Sequence, residues 1–331
     1  MAGSAMKTGA ILLLCLSLCL SPLVQAAQHH LLIVSGIGGI DAYSELFARR
    51  SASLYKSAVE AGIDENNITL LSEAALADTG RPHLISDKPS ILQALREIGA
   101  RAQPDDRVFV ILIGHGNPRA DGAAFNLPGP DISAEELAEA LTVLENQLVV
   151  IVNTASASGP FIDALSAERR VVITATSSGR EYYATLFGDY FIAAFAEAGA
   201  DTDKDERVSM LEAFRYARRE TQREYDSENQ LSTEHALLDD NGDGEGSPDP
   251  GEFEVDGALA NRVYLQQPPV LALGASAQLV DMMQRKQGLE RSINDLKRQR
   301  DSLPRDDYYA RLETLLVDLA LLGREIRTGG S

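Results

Sequence analysis

The sequence predicts an α/β fold: a doubly wound, mainly parallel sheet flanked by helices, followed by a C-terminal helical hairpin. Within residues 30–195, short apolar runs alternate with amphipathic helical segments, a pattern typical of βαβ units. After residue 270, apolar side chains recur at heptad spacing, as they do in coiled coils and helical hairpins. We therefore divide the chain into an N-terminal segment 1–26, an α/β domain 27–269 and a helical hairpin 270–331.

The first 26 residues have the character of a secretory signal peptide. Lys7 precedes an apolar run from Gly9 to Leu20, and Val24-Gln25-Ala26 suits cleavage after Ala26. A run of that length is too short to cross a bilayer comfortably. We expect an exported protein, periplasmic or secreted, without a membrane span.

Composition excludes several classes of function. Both cysteines, Cys15 and Cys19, lie in the predicted signal peptide, so the exported chain would have no disulfide, thiolate nucleophile or cysteine-bound metal. The formal net charge of −19 argues against nucleic acid or an anionic membrane as partner, because like charges repel. It is compatible with calcium binding.

Five apolar runs are predicted to be strands of the sheet. The continuous apolar run Val108–Ile113 is typical of a strand that is covered on both faces. A helix with apolar side chains at 3.6-residue spacing, Tyr43 and Phe47 among them, follows the first strand and ends at Gly62. The predicted strands are Leu31–Ser35, Asn67–Leu71, Val108–Ile113, Leu148–Val152 and Val171–Ala175, and the further helices are Ile91–Ile98, a capping-box helix from Ser133 through Leu144, and Leu186–Ala198.

The last part of the α/β domain and the hairpin are predicted from similar patterns. A helix is expected at Ser209–Tyr225 and one more strand at Asn261–Leu265, with Pro268-Pro269 closing the domain. The hairpin is predicted to pack or assemble, so homo- or hetero-oligomers are possible partners. Its apolar positions are Met282, Leu289, Ile293, Leu296 and Leu303 before Pro304, and Leu312, Leu315, Leu319, Leu322 and Ile326 after it.

Two strand ends could carry chemistry. The run Val108–Ile113 continues into Gly114-His115-Gly116, and Leu148–Val152 continues into a turn that contains Ser156. Functional groups of open α/β sheets gather beyond the carboxyl ends of the strands. A histidine bracketed by glycines is accessible as a general base, although a loop histidine that caps a strand would look the same.

At these residues the sequence resembles the legumain-type (C13) peptidases and their caspase-fold relatives. The resemblance rests on VFVILIGHG, on the Asn-Thr-Ala-Ser-Ala-Ser-Gly turn after the next apolar strand, and on VVITATSSGRE. It implies a caspase-like fold and action on a peptide or protein. It also implies that His115 is the catalytic histidine, that Ser156 occupies the position of the nucleophilic cysteine, and that Glu181 lines the substrate pocket.

Two departures from the family pattern change what is expected of the chemistry. The family's Asn-Tyr-Arg near the first helix is Ala42-Tyr43-Ser44 here, so cleavage after asparagine is not expected. A serine hydroxyl must lose its proton to a base during attack, usually with an acid that orients the base; Asp121 and Asp131 lie downstream of His115. Two hypotheses remain: a Ser156–His115 hydrolase, and a catalytically inactive peptidase fold that acts as a binding or assembly module.

An acidic loop resembles the calcium loop of an EF-hand. The side chains at positions 1, 3, 5, 9 and 12 are oxygen ligands, and position 7 offers a backbone carbonyl, although Glu206 stands where glycine is preferred. The alternative is a solvated acidic loop ahead of a capped helix. A second loop at Asp239, Asn241 and Asp243 has Pro250 at position 12 and is predicted to be a glycine-rich turn. The predicted Ca²⁺ ligands are Asp201, Asp203, Asp205, Arg207 through its carbonyl, Ser209 and Glu212.

Overall fold

The structure, a computed structural model, describes most of the chain after the predicted signal peptide. It covers residues 27–267 except 77–78, 121, 198 and 252–255, and residues 281–329 except 283–284, 287, 290–291, 294–295 and 297–298. The predicted signal peptide 1–26, the predicted domain end at Pro268-Pro269 and Asp121 lie outside the described residues.

A six-stranded sheet forms the centre of the α/β domain. The strands of the described chain are β1 (His29–Ser35), β2 (Ile68–Leu71), β3 (Arg107–Ile113), β4 (Gly116–Arg119), β5 (Gly122–Phe125), β6 (Ile132–Ser133), β7 (Leu148–Asn153), β8 (Arg170–Thr174) and β9 (Leu237–Asp239). The central sheet has the order β2-β1-β3-β7-β8-β9, and β4-β5-β6 form a small second sheet. All central pairs are parallel except β8 with β9. The predicted mainly parallel sheet is confirmed.

The predicted strand at Asn261–Leu265 is wrong. Residues Ala260–Arg262 form a 3-10 turn, and Tyr264 makes one isolated bridge to Ser209. Val263 and Leu265 are buried in the core, which explains the apolar pattern, but they do not pair in the sheet. The sixth strand is β9, which is too short and too close to an acidic loop to show in the pattern. The small sheet β4-β5-β6 was also missed.

Helices cover both faces of the sheet. They are α1 (Asp41–Glu60), α2 (Lys88–Arg101), α3 (Ala134–Ala140), α4 (Phe161–Leu165), α5 (Phe187–Ala193) and α6 (Met210–Ser227). The predicted capping box at Ser133 is present. The Ser133 hydroxyl accepts a hydrogen bond from the Glu136 N–H, and the Glu136 carboxylate accepts one from the Ser133 N–H. The predicted helix Leu186–Ala198 is shorter, because α5 ends at Ala193.

Alternate side chains of each strand enter two separate cores. On β3, Phe109 and Ile111 pack in the core that contains α1, α5 and α6 side chains. Val108 and Val110 point to the opposite core, which contains α2, α3 and α4 side chains. Both sets are fully buried, which explains why β3 reads as a continuous apolar run.

A long helix, Arg305–Gly329, lies where the C-terminal arm of the hairpin is expected. Within 281–296, every described residue is helical. On the C-terminal helix Tyr308 and Leu322 are buried, whereas Leu316, Val317 and Leu321 are exposed. In the part of the chain that the structure describes, no helix has the length and apolar character needed to span a membrane.

Shortening Phe109 tests the central position of β3. Phe109 is fully buried, so Phe109→Ala should lower the free energy of unfolding by about 3–5 kcal/mol through lost burial and a cavity. Leu231→Ala is the matched control, because Leu231 is 92% exposed and should leave stability within about 0.5 kcal/mol. Urea unfolding followed by circular dichroism measures both; equal effects would contradict the placement of Phe109.

Candidate active site

His115 lies two residues beyond the end of β3, against the face of α1. Its ring makes edge contacts with the rings of Tyr43 at 4.5 Å and Phe47 at 4.9 Å between centroids. Among the described residues, no side chain or backbone group hydrogen-bonds the His115 ring. The preceding Gly114 leaves room for the Phe125 ring, from which a Cβ at this position would lie 2.9 Å. Aromatic packing therefore sets the orientation of the imidazole.

The surroundings of His115 favour its neutral form. Burial lowers the pKa of His115 below 6.5, and the positive charge of Arg50 lowers it further. Arg50 is itself buried, and its Nη2 donates to Asp189 Oδ2 at 2.6 Å and to the Thr185 carbonyl at 3.1 Å. A neutral imidazole at neutral pH has a free nitrogen lone pair that can accept a proton.

Ser156 lies in the turn that follows β7 and contacts the residue after His115. Its Oγ accepts from the Gly116 N–H at 3.2 Å and donates to the Gly116 carbonyl at 3.1 Å. The Ser156 side chain is 2% exposed. The structure thus brings the two predicted catalytic residues to the same edge of the sheet, with the Ser156 hydroxyl bonded to backbone and not to the imidazole.

The turn around Ser156 is held tightly. Ala157 has a left-handed backbone with φ 53°, which is uncommon for a residue with a side chain, and its N–H donates to the Glu181 carbonyl at 2.7 Å. A Cβ at Gly159 would lie 2.3 Å from the Ser177 carbonyl carbon, so only glycine fits there. The position of the Ser156 backbone is therefore fixed by the neighbouring β8 loop.

A buried polar network that the sequence did not reveal supports this turn. The Thr185 hydroxyl donates to the Thr154 carbonyl at 2.5 Å, and the Thr154 hydroxyl donates to the Leu112 carbonyl at 2.9 Å. Because Arg50 bonds Thr185 and Asp189, the network joins α1 and α5 to the ends of β3 and β7. A signal was present, since Arg50 has helical spacing from Phe47 and falls on the apolar face of α1.

Glu181, the predicted pocket residue, follows β8 at the same edge. Its carboxylate accepts from the Ser177 N–H at 3.2 Å and hydroxyl at 2.5 Å. It also accepts from the His235 N–H at 2.9 Å and lies 3.3 Å from His235 Nδ1. Glu181 therefore connects the Ser156 turn, through its carbonyl, with the loop that carries His235.

Asp131 does not support His115. Its Oδ1 accepts from the Leu127 N–H at 3.1 Å, and its Oδ2 accepts from Asn117 Nδ2 at 3.0 Å. Asp131 thus orders the loop between β5 and β6. Among the described residues, His115 has no carboxylate partner that would complete a triad.

The predicted calcium loop clusters its aspartates. The carboxylates of Asp201, Asp203 and Asp205 offer oxygens within 4.8 Å of one another. Glu206 has a left-handed backbone with φ 71°, the conformation for which the EF-hand loop uses glycine at this position. The Arg207 guanidinium bonds Asp205 Oδ2 at 2.8 Å. The backbone thus adopts the sharp turn despite Glu206.

Glu212, at position 12, points back into this loop. Its Oε1 accepts from the Thr202 N–H at 2.8 Å, and its Oε2 accepts from the Ser209 N–H at 2.9 Å. Burial alone would raise its pKa, but the hydrogen bonds from Ser209 and Thr202 outweigh burial and lower it. Ser209 and Glu212 form the capping box of α6, so position 9 also serves the helix start.

The second acidic loop is a glycine-rich turn, as predicted. Asp239 Oδ1 accepts from the Gly242 N–H at 3.1 Å and Oδ2 from the Gly244 N–H at 3.2 Å. Both glycines have left-handed backbones. Asp256 packs behind this turn, and burial together with the charges of Asp239 and its neighbours raises the pKa of Asp256 to about 6.

A match to a family model supports the resemblance drawn from the motifs. Residues 87–238 match the model of the Peptidase C13 family, a range that contains His115, Ser156 and Glu181. Among solved structures, the chain is similar to the protein GSU0716 from Geobacter sulfurreducens, with a TM-score of 0.42 and 11% identity, over 64% of this chain and 92% of that one. Comparison with curated proteins gives no match.

The state of His115 can be measured directly. Burial and Arg50 should place the pKa of the His115 ring below 6.5, so the ring should stay neutral down to lower pH than an exposed histidine. NMR titration of the histidine ring protons measures this, with His115→Gln identifying the signal. A pKa at or above 6.5 would contradict the described surroundings of the ring.

Proposed function

We propose that this peptidase-family protein, whose residues 87–238 match the Peptidase C13 family, is exported and hydrolyses peptide bonds with Ser156 as nucleophile and His115 as general base. The observation that carries the proposal is the pair of hydrogen bonds between Ser156 Oγ and the backbone of Gly116, the residue after His115. Export rests on the signal-like pattern of residues 1–26.

The first step would transfer a proton from Ser156 to His115. The hydroxyl must leave the Gly116 carbonyl and turn toward the imidazole, which is available because it is neutral. Oγ then bonds to the carbonyl carbon of the scissile peptide while the imidazole takes its proton. When the C–N bond breaks, the imidazolium returns this proton to the leaving amine. Water, deprotonated by His115, then attacks the acyl carbon, and the imidazolium returns this proton to Ser156 Oγ as the ester C–O bond breaks.

The Gly116 N–H supports the same step. It lies 3.2 Å from Ser156 Oγ, so it becomes free when the hydroxyl turns toward His115. In that position it can donate to the oxygen that gains negative charge during attack. One backbone group would thus bind the resting hydroxyl and then the oxyanion.

Glu181 is proposed to line the substrate pocket. Its carboxylate is held by Ser177 and His235, on the β8 side of Ser156. A fixed carboxylate there would favour a substrate group that carries hydrogen-bond donors. Ser44 stands where the family has a substrate-binding arginine, so the specificity would differ from cleavage after asparagine.

Covalent labelling tests the dyad. A serine-directed phosphonate should modify Ser156, and His115→Ala should slow labelling by roughly 10²–10⁴-fold, because general-base assistance is lost. Mass spectrometry of tryptic peptides identifies the labelled residue. Ser178→Ala, in the nearby β8 loop, is the control and should label at the original rate; labelling that is indifferent to His115→Ala would refute the dyad.

Two observations favour an alternative, a catalytically inactive binding or assembly module. The Ser156 hydroxyl accepts a hydrogen bond from the Gly116 N–H and donates one to the Gly116 carbonyl, so at rest it is bonded to the backbone and not to His115. Exposed Leu316, Val317 and Leu321 on the C-terminal helix are apolar groups that a second copy or another protein could cover. A Ser156→Ala protein with unchanged partner binding and solution mass, together with absent labelling, would select this alternative.

We further propose that the loop 201–212 binds Ca²⁺. Three carboxylates within 4.8 Å of one another repel each other, and a hard cation relieves that repulsion. Asp201, Asp203 and Asp205 would supply side-chain oxygens and Arg207 its carbonyl. Glu212 and Ser209 would complete the set from the start of α6.

Calcium should raise the melting temperature. Binding to the folded state alone stabilises it by mass action, so Ca²⁺ at about 100 times its Kd should shift Tm by roughly 5–10 °C. Differential scanning calorimetry with Ca²⁺ and with a chelator measures the shift. Asp203→Asn should reduce it strongly, whereas Asp243→Asn, in the second loop, should not. Equal Tm values with calcium and chelator would exclude the site.

A further inference from the structure

An arginine-lined cleft lies beside the candidate active site. It has a volume of about 520 Å³ and lies between α6, the start of α5 and the loops on either side of β9. Arg215, Arg218 and Arg219 of α6 form one wall. Ala175, Phe187 and Ala236, all buried, contribute apolar surface. A concentration of guanidinium groups is unexpected in a chain with a net charge of −19.

The guanidinium groups of this wall are weakly engaged. Arg215 is half-buried and donates to the Pro250 carbonyl at 2.8 Å; among the described residues it has no carboxylate partner. Arg218 lies 3.6 Å from Asp249, whose side chain is 92% exposed. Arg219 pairs with its neighbour Glu220. N–H donors of Arg215 and Arg218 therefore remain for an anion, and guanidinium groups bind carboxylates with good geometry.

The acidic residues that line the cleft, Glu234 and Asp249, are not salt-bridge partners of Arg215 in the part of the chain that the structure describes. Glu234 is buried, and its oxygens accept from the N–H groups of Leu186 and Phe187 and from the Tyr225 hydroxyl. Burial raises the pKa of Glu234. Asp249 lies at the exposed rim, where a ligand carboxylate could take its place beside Arg218.

The cleft is connected to the Ser156 turn through Glu181. His235 lines the cleft and contacts the Glu181 carboxylate, while the Glu181 carbonyl accepts from the N–H of Ala157. Glu181 and His235 thus form the link between the Ser156 turn and the cleft. Apolar surface beside guanidinium groups fits a glutamate side chain, whose methylenes and carboxylate need both.

We propose that this cleft binds the acidic side chains of a peptide segment. Arg215 and Arg218 contact the carboxylates, and the surface around Phe187 covers the aliphatic part. The binding site goes beyond the proposed hydrolysis, because it operates whether or not Ser156 is reactive. For a hydrolase it selects acidic substrates, and for an inactive fold it recruits acidic partners.

Binding of a labelled peptide tests the proposal in the full chain carrying Ser156→Ala. A fluorescent tetraglutamate peptide should bind, whereas the tetraglutamine analogue should not, as measured by fluorescence anisotropy. Arg215→Gln combined with Arg218→Gln should raise the Kd of the acidic peptide by about tenfold or more, since charge-assisted hydrogen bonds are lost. Because the Ser156→Ala background removes catalysis, failure of phosphonate labelling would not affect this result.

Arg223→Gln is the matched control. Arg223 lies on the same helix and pairs with Glu220, and its side chain is 69% exposed; its loss should leave the Kd unchanged. Equal weakening by both variants, or no binding of tetraglutamate by the parent protein, would overturn the proposal. Displacement by inorganic phosphate at the same concentration as unlabelled tetraglutamate would also overturn it, because the cleft would then hold an ion and not a peptide.

Discussion

The parallel pairing of β3 with β7 is the constraint on which the candidate site depends. Leu112 pairs with Asn153 at the carboxyl ends of these strands, so His115 and Ser156 each stand three residues beyond one pair. Both chains turn at the same edge, and the Ser156 hydroxyl meets the backbone of Gly116. A shift of register by one residue would separate these groups and reverse the faces of the strand that slips.

Packing of α1 connects the fold to the chemistry. Arg50 is buried beside His115 and is bound by Asp189 and the Thr185 carbonyl. Thr185 in turn bonds Thr154 at the end of β7. A buried cation without partners would be costly, so the same contacts that satisfy Arg50 also fix α5 against both strand ends. The basicity of the imidazole and the placement of the serine turn are therefore set by one connected group of side chains.

The sequence predicts what depends on periodicity and on local motifs, and it misses what depends on tertiary contacts. Strands β1, β3, β7 and β8 are apolar runs in the sequence, so their positions in the chain were predicted correctly. The segment Asn261–Leu265 alternates Val263 and Leu265 with Tyr264 as a strand would, but these two side chains fill the core without pairing in the sheet, and periodicity cannot tell the two cases apart. The arginines of α6 stand at helical spacing in the sequence, but the cleft beside them does not show there, because the loops that face them come from distant positions.

That His115 and Ser156 lie at the same edge of the sheet could be predicted from the order of the strands, whereas the hydrogen bonds of their side chains could not.

Asp256 illustrates a further consequence of burial. With a pKa raised to about 6, it stabilises the folded protein while protonated, and this contribution disappears as pH rises through that value. Above about pH 6 the ionised Asp256 adds its charge to those of Asp239, Asp240 and Asp243, so the packing of Asp256 against the second acidic loop should be tightest in mildly acidic solution.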